Sequence, residues 1–346
     1  MANSSMNRYA RQIRFAPMGE SGQAGLLQST AAVVGMGALG CVIAQHLVRS
    51  GVGRVKLIDR DIVEWSNLQR QVLYTEEDAE GTLPKAEAAA ARLRAVNSGI
   101  DIEAYAEELS ASNAERLLGG SDIIVDGTDN FGTRYLVNDY AVKHRIPWVY
   151  GGAVGSGGMT MTILPGETPC YRCMFPEPPP PGTTDTCESA GVLSPLIDIV
   201  GSLQAIEAMK WLAGRRDRLH GGLLQLDIWD TRFTKLGLAG GKRSTCPACG
   251  EGRYDYLDVA PDQSDAATLC GRLTVQLRPA ASHRLQLAEL AARLAPIGTV
   301  QLNPYVLRLT LEEGLVLILF PDGRTLVQGT EDVELARRVY ARIMAP

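Results

Sequence analysis

The chain of 346 residues has no excess of positive charge. Its formal net charge is −5, and no run of Lys or Arg forms a basic stripe, so nothing in its charge points to nucleic acid. It also lacks an apolar leader. The first residues, MANSSMNRYARQIRF, carry Arg8, Arg11 and Arg14 without a hydrophobic core, and no secretory signal is expected. A membrane span is missing too. The apolar stretch 30–48 contains three glycines, Gln45 and His46 and is followed by turn signals, which suits a buried strand and helix better. The seven cysteines make no disulfide framework, because a chain this long buries its own core without staples. The four histidines are scattered and form neither a triad nor a metal pair. No internal repeat is present. The expectation is a cytoplasmic protein of about two domains, with no nucleic acid and no membrane as partner.

What is present alternates between strands and helices. Residues 31–35 (AAVVG) read as a short buried strand, followed by a glycine-rich turn and a helix to about Ser50. Strands are expected at 54–59, 101–106, 121–126 and 146–150, with helices at 84–97 and 130–145 between them. Such alternation implies βαβ units and a mainly parallel sheet. Further strands are expected at 158–164 and 222–229, and a long helix at 192–212. The segment PEPPPPGTTDTC at 176–187 is too rich in proline for helix or central strand and reads as an extended crossing loop. Beyond a second break near 246–262 the pattern changes. Strands at 274–278, 299–311, 315–320 and 325–328, with helices at 286–295 and 331–343, make a small α+β domain. Thr330 is placed to cap the last helix.

Three clusters carry chemistry. Gly35-Met36-Gly37-Ala38-Leu39-Gly40 is GxGxxG between a strand and a helix, where backbone N–H groups and the helix N-terminus favour phosphate. Asp59 ends the next strand, where an acid binds ribose hydroxyls. Alone, this motif would suggest NAD or FAD. The polar run Ser66, Asn67, Gln69 and Arg70, with Lys85 at a helix start, suits a polyphosphate instead. Asp129 and Asn130 follow the strand 121–126, and an Asp there suits magnesium. The third cluster is the pair of CxxC motifs, Cys170/Cys173 and Cys246/Cys249. Four thiolates suit a closed, tetrahedral, structural zinc and a reducing compartment. Cys187, at the end of the proline-rich loop, is a candidate exposed nucleophile. Cys41 and Cys270 read as structural.

Taken together these residues resemble the ThiF/MoeB family of sulfur-carrier-protein adenylyltransferases, in the ubiquitin-activating-enzyme superfamily. The matching pieces are RYARQI (8–13), GMGALG (35–40), LIDRDIVEWSNLQRQ (57–71), Pro84-Lys85, DGTDN (126–130), PCYRC (169–173), TCESAGV (186–192), GSLQAIEAMK (201–210) and CPAC (246–249). The resemblance implies a Rossmann-like, doubly wound, mainly parallel α/β sheet with zinc-stapled strands, plus the small C-terminal α+β domain. It divides the chain into an adenylation domain, 1–255, with a crossover loop at 176–190, and a C-terminal domain of unknown role, 256–346. It implies ATP-dependent adenylation of the C-terminal Gly-Gly carboxylate of a ubiquitin-like sulfur carrier, and a homodimer. In this family the position of Asp59 holds the ribose, those of Asn67, Arg70 and Lys85 face the phosphates, and that of Asp129 holds magnesium. The position of Arg11 reaches into the partner subunit's site, and that of Cys187 lies over the carrier tail.

The chemistry agrees with the residues. A C-terminal carboxylate has a pKa of about 3.5 and is ionised at neutral pH. It needs no general base to attack the α-phosphate, only neutralisation of the charge between two anions, for which Arg11, Arg70, Lys85 and magnesium are suited. The tail is too short for a rhodanese, so sulfur would come from a separate sulfurtransferase. Its LCGR and FPDGR pieces resemble long ThiF-type proteins of thiamine biosynthesis, with MoaD-type carriers of molybdopterin synthesis or a peptide substrate as alternatives. An NAD-dependent oxidoreductase would explain the glycines and Asp59 but leave Arg70, Lys85, Asp129 and the paired cysteines without a purpose. A partner without activity would be expected to lack a phosphate-facing residue, and none is lacking.

Overall fold

The computed structural model describes residues 7–180, 183, 189–258, 266–268, 273–278 and 285–344. The chain divides into two compact units. One comprises residues 1–76 and 85–260, the other residues 77–84 and 261–346.

The first unit is built on an eight-stranded sheet. Its strands are β1 (Thr30–Val34), β2 (Arg54–Ile58), β3 (Asp101–Tyr105), β4 (Ile123–Asp126), β5 (Trp148–Val154), β6 (Gly157–Ile163), β7 (Gly222–Asp227) and β8 (Arg232–Gly237). Their order is β3-β2-β1-β4-β5-β6-β7-β8. The first five run parallel and the last three alternate antiparallel. The central strands explain this arrangement. Ala31–Val34 and Ile123–Val125 are apolar and buried, as strands covered on both faces must be. The β1–β4 junction is where the strand order reverses, and in doubly wound sheets ligands bind at the carboxyl ends of the strands beside that point. The helix Ala38–Ser50 packs against Ser194–Leu212, whose Gly201 has no room for a Cβ: one would sit 2.8 Å from Val42. The outer strand β8 is exposed along its whole length and was not among the strands expected from the sequence.

The second unit has a six-stranded antiparallel sheet: β9 (Ala266–Thr268), β10 (Thr274–Leu277), β11 (Thr299–Leu302), β12 (Leu307–Thr310), β13 (Val316–Leu319) and β14 (Thr325–Gln328), in the order β11-β12-β13-β14-β10-β9. The helices Leu287–Leu294 and Val333–Met344 supply Leu290, Leu294, Ala336, Val339 and Ile343 to a core shared with Val275, Leu309, Leu317 and Val327. Two sequence expectations are corrected here. The single strand expected over 299–311 is a hairpin, because Asn303-Pro304 turns the chain and Asn303 N–H donates to Val306 O at 3.1 Å. Thr330 is not the helix cap. Asp332 Oδ1 accepts the N–H groups of Glu334 and Leu335, and Thr330 Oγ1 instead accepts from Asp332 N–H. Among the described residues no helix is long and apolar enough to cross a membrane.

Candidate active site and cysteine cluster

β1 and β4 end side by side, and three glycines let their continuations meet. Gly35 leaves β1 with φ +89°, the left-handed region that favours glycine. A Cβ on Gly40 would lie 1.8 Å from Gly35 O, and one on Gly127 would lie 2.4 Å from the same oxygen. These glycines are therefore required by packing. Gly37 differs. A Cβ there would meet only Gly127 O, at 3.9 Å, so the space before it is open. Gly37 is also the N-cap of the helix Ala38–Ser50, whose first N–H groups have no intrahelical partner. An open floor under unpaired N–H groups is a suitable cradle for an anion.

Asp59, just beyond β2, joins this loop to the neighbouring strand end. Its Oδ2 accepts Met36 N–H and its Oδ1 accepts Asp61 N–H, both at 2.6 Å. Burial pushes its carboxyl pKa up, and the Lys85 charge opposes the shift. Each oxygen keeps a lone pair for a further donor such as a ribose hydroxyl. Lys85 opens the helix Lys85–Val96 with a side chain only 3% exposed. Its Nζ lies 3.2 Å from Asp61 Oδ2, and its N–H donates to Asp61 O at 2.9 Å. The Tyr74 hydroxyl sits between the two halves, 2.7 Å from Met36 O and 3.2 Å from Lys85 O. One phenol thus ties the glycine loop to the start of the lysine helix.

The polar run between them is a short 3-10 turn at Trp65–Asn67. Asn67 is buried and accepts Glu64 N–H through Oδ1 at 3.0 Å, while Ser66 and Gln69 are exposed. Arg70 is half-buried and donates only to Ser66 O, at 2.9 Å; among the described residues it has no carboxylate partner. That leaves most of its donor fork available to an anion. Arg11 is exposed on the short helix Ala10–Ile13 and makes no ion pair among the described residues.

β4 ends in Asp126, whose Oδ2 accepts Arg134 Nε at 2.9 Å and whose Oδ1 accepts Thr128 Oγ1 at 2.7 Å. Arg134 is buried, donates also to Thr128 O and to Gly151 O (2.5 and 2.9 Å), and packs over the Tyr150 ring. Coulombic attraction to Asp126, against the cost of burial, raises its pKa further still. This network fixes the turn that presents Asp129, which is exposed and unpaired among the described residues. Asn130 caps the helix Phe131–His144 by accepting Thr133 N–H at 3.0 Å.

The four paired cysteines converge, although 76 residues separate their partners. Cys170 and Cys246 sulfurs lie 3.5 Å apart, Cys173 and Cys249 3.4 Å, and Cys170 and Cys173 3.9 Å. A tetrahedron of about 2.3 Å zinc–sulfur bonds spaces its sulfurs about 3.8 Å apart. All four sulfurs lie within 4.8 Å of one another, so the cluster has the size and donor set for zinc. Burial first, and then the neighbouring sulfurs, push the Cys170 thiol far up, which an added cation would reverse. Arg172, between the first pair, reaches Asp139 at 3.1 Å and Asp255 at 2.7 Å, bracing the chain beyond the second pair.

The glycine loop, Asp59, Lys85 and the turn before Asp129 are thus gathered at the carboxyl ends of adjacent parallel strands. Cys187 and Cys270 lie outside the described residues, as do residues 181, 182 and 184–186 of the loop before Cys187. Cys41 is buried and its S–H points to Met36 O at 3.6 Å, as expected for a structural thiol. Sequence reasoning missed Asp61, Tyr74, Gly127 and Arg134. Gly127 and Asp61 stand inside motifs already singled out; Tyr74 and Arg134 carry no local signal.

Comparison with known proteins agrees with this geometry. The ThiF family profile matches residues 9–248. The sulfur carrier protein ThiS adenylyltransferase of Bacillus subtilis strain 168 is 43% identical over 334 residues, 96% of this chain and 98% of that protein. The sulfur carrier protein adenylyltransferase of Thermus thermophilus is 45% identical over 251 residues, 71% of this chain and 91% of that one. Among solved structures, Escherichia coli MccB with ATP matches with a TM-score of 0.62 over 70% of this chain and 74% of that chain, at 23% identity, a likeness of fold. With a family profile matched over more than half its length and a relative aligned along nearly all of it, the chain belongs to the ThiF family.

Proposed function

We propose that this chain is an adenylyltransferase that uses ATP to activate the C-terminal carboxylate of a ThiS-type, ubiquitin-like sulfur carrier. The observation that carries this reading is the joint placement of the open Gly37 floor, Asp59 and Lys85 on one sheet edge, in a chain 43% identical to a ThiS adenylyltransferase. Asp59 accepts the ribose hydroxyls. Lys85 and Arg70 neutralise the phosphates, with Ser66, Asn67 and Gln69 shaping the loop that aims Arg70. The carrier carboxylate, already ionised, attacks the α-phosphorus, and pyrophosphate leaves. No residue has to remove a proton, which accords with the lack of a histidine at the site among the described residues. Asp129, an exposed carboxylate free of protein partners among the described residues, suits a hard cation. Magnesium bound there would neutralise phosphate charge as pyrophosphate departs. Arg11 serves the site of a second subunit in a homodimer. Cys187 plays no part in adenylation; any role it has belongs to the later step in which a separate sulfurtransferase delivers sulfur.

The test is ATP–pyrophosphate exchange with and without a carrier ending in Gly-Gly. Exchange that appears only with the carrier is expected. Absence of exchange with every such carrier, or reduction of NAD, would overturn the reading. Mixing Arg11→Ala with Arg70→Ala chains is expected to restore part of the activity. No recovery in proven mixed dimers would place Arg11 in its own subunit's site. Cys187→Ala is expected to retain exchange.

A further inference from the structure

The residues 77–84 cluster with the C-terminal unit, although Lys85, the next residue, belongs to the nucleotide-binding unit. The last turn of the helix Glu76–Glu80 ends there in an unusual way. Leu83 N–H donates to Asp78 O and Thr82 N–H to Ala79 O, both at 3.1 Å, the pattern of a Schellman C-cap. The left-handed position of that motif normally holds glycine. Here it holds Thr82, with φ +53° and a buried side chain. A β-branched residue is strained in that conformation and stays in it only when its surroundings hold it there.

The C-terminal unit supplies a holder. Asn303 Nδ2 donates to Gly81 O at 2.8 Å. The Asn303 amide is itself fixed, since its Oδ1 accepts the N–H groups of Tyr305 and Val306, both at 2.8 Å. Beside this hydrogen bond lies a cavity of about 350 Å³ lined by Glu80, Thr82, Gln301 and Arg308 among others. A directed polar contact thus holds the segment at this point.

We infer that Asn303 is a positioning residue for adenylation. It fixes the strained Gly81–Thr82 cap and, through Leu83 and Pro84, the place where the lysine helix begins. Lys85 is thereby registered against the phosphates. The inference rests on the phosphate role proposed for Lys85. It gives the C-terminal unit a purpose, tuning the chemical step.

Asn303→Ala is expected to lower kcat for carrier-dependent exchange about tenfold, because small misplacements of a charge-bearing group are costly, while KM for the carrier stays the same. In a Lys85→Ala background the same change is expected to cost nothing further. Thr82→Gly, which removes the strain, is expected to be active alone and to restore most of the loss in the double variant. Hydrogen exchange over residues 81–86 should rise in Asn303→Ala and fall back in the double variant. Equal losses with and without Lys85, or unchanged kcat and unchanged exchange protection, would overturn the inference. If the parent chain shows no exchange with any carrier, the proposed function fails, while the protection of residues 81–86 still decides whether Asn303 holds the cap.

Discussion

Asp61 holds the Lys85 ammonium at 3.2 Å and its backbone N–H at 2.9 Å. One residue thus anchors both ends of the lysine that the reading above sets against the phosphates. A lysine this deeply buried needs a compensating charge. Asp61→Asn keeps the shape and removes the charge. It is expected to lower exchange turnover by about tenfold or more and to reduce stability by about 1–3 kcal/mol, the cost of leaving a buried charge partly uncompensated. Urea unfolding beside pyrophosphate exchange measures both. A variant with parental values in both would show that the pair is incidental.

The glycine loop separates packing from binding. Gly40→Ala places a Cβ 1.8 Å from Gly35 O, in contact with backbone that cannot move cheaply. Overpacking of that kind costs about 1–3 kcal/mol or more, so a lowered unfolding midpoint is expected. Gly37→Ala has open space for its methyl, and the φ of −74° lies outside the left-handed region that favours glycine. It is expected to keep the parental midpoint yet weaken ATP binding, because the methyl occupies the ligand's side of the loop. Isothermal titration with ATP and a thermal melt, run on both variants, separate the two effects. Identical behaviour of the pair would contradict the assignment.

Much of this is legible in the amino-acid sequence. The parallel strands announced themselves as short apolar runs such as 123–126, and the glycine spacing marked the turn after β1. The paired cysteines gave their convergence away by spacing alone. Other features were closed to sequence reasoning for physical reasons. Tyr74 and Arg134 act through partners far along the chain, Met36 and Gly151, and no local pattern encodes a long-range hydrogen bond. The strand β8 is exposed throughout and shows no buried alternation to read. The hairpin at Asn303 hid inside a run of β-favouring residues, although Asn-Pro marked the turn.

Cys41 gives the folded state a signature at alkaline pH. Burial pushes its thiol up to about 12 from an ordinary value of 9.0. Below pH 9 both folded and unfolded chains keep this proton, and the group has no effect. Between pH 9 and 12 the unfolded chain loses it while the folded chain retains it, so stability falls as pH rises, by about 1.4 kcal/mol per unit. Cys41→Ala is expected to start less stable at pH 8 through lost packing, and then to lose stability less steeply from pH 9 to 11. The difference in slope should approach one proton. Urea unfolding at several pH values reads it directly, and parallel slopes would show that the buried thiol ionises without penalty.

The cysteine cluster should hold one zinc per chain. Its sulfurs already stand 3.4–3.9 Å apart in pairs, close to the edge of a zinc–thiolate tetrahedron and far beyond a disulfide bond. The two pairs lie on segments that flank the proline-rich loop, and Arg172 binds Asp139 and Asp255 alongside them. Metal removal would leave buried sulfurs with neither charge compensation nor a shared ligand, and the stability that zinc contributes through binding would be lost. A loss of a few kcal/mol moves a unit of this size by about 2–4 °C per kcal/mol. Chelation, or Cys249→Ser, is therefore expected to lower Tm by about 10 °C. Because no nucleotide-facing residue belongs to the cluster, the fraction that stays folded at low temperature should keep its carrier-dependent exchange. Elemental analysis of reduced protein, paired with a melt and an exchange assay, checks each part. Zinc-free protein with the parental Tm would remove the structural role, and activity lost ahead of the fold would place the metal in the chemistry.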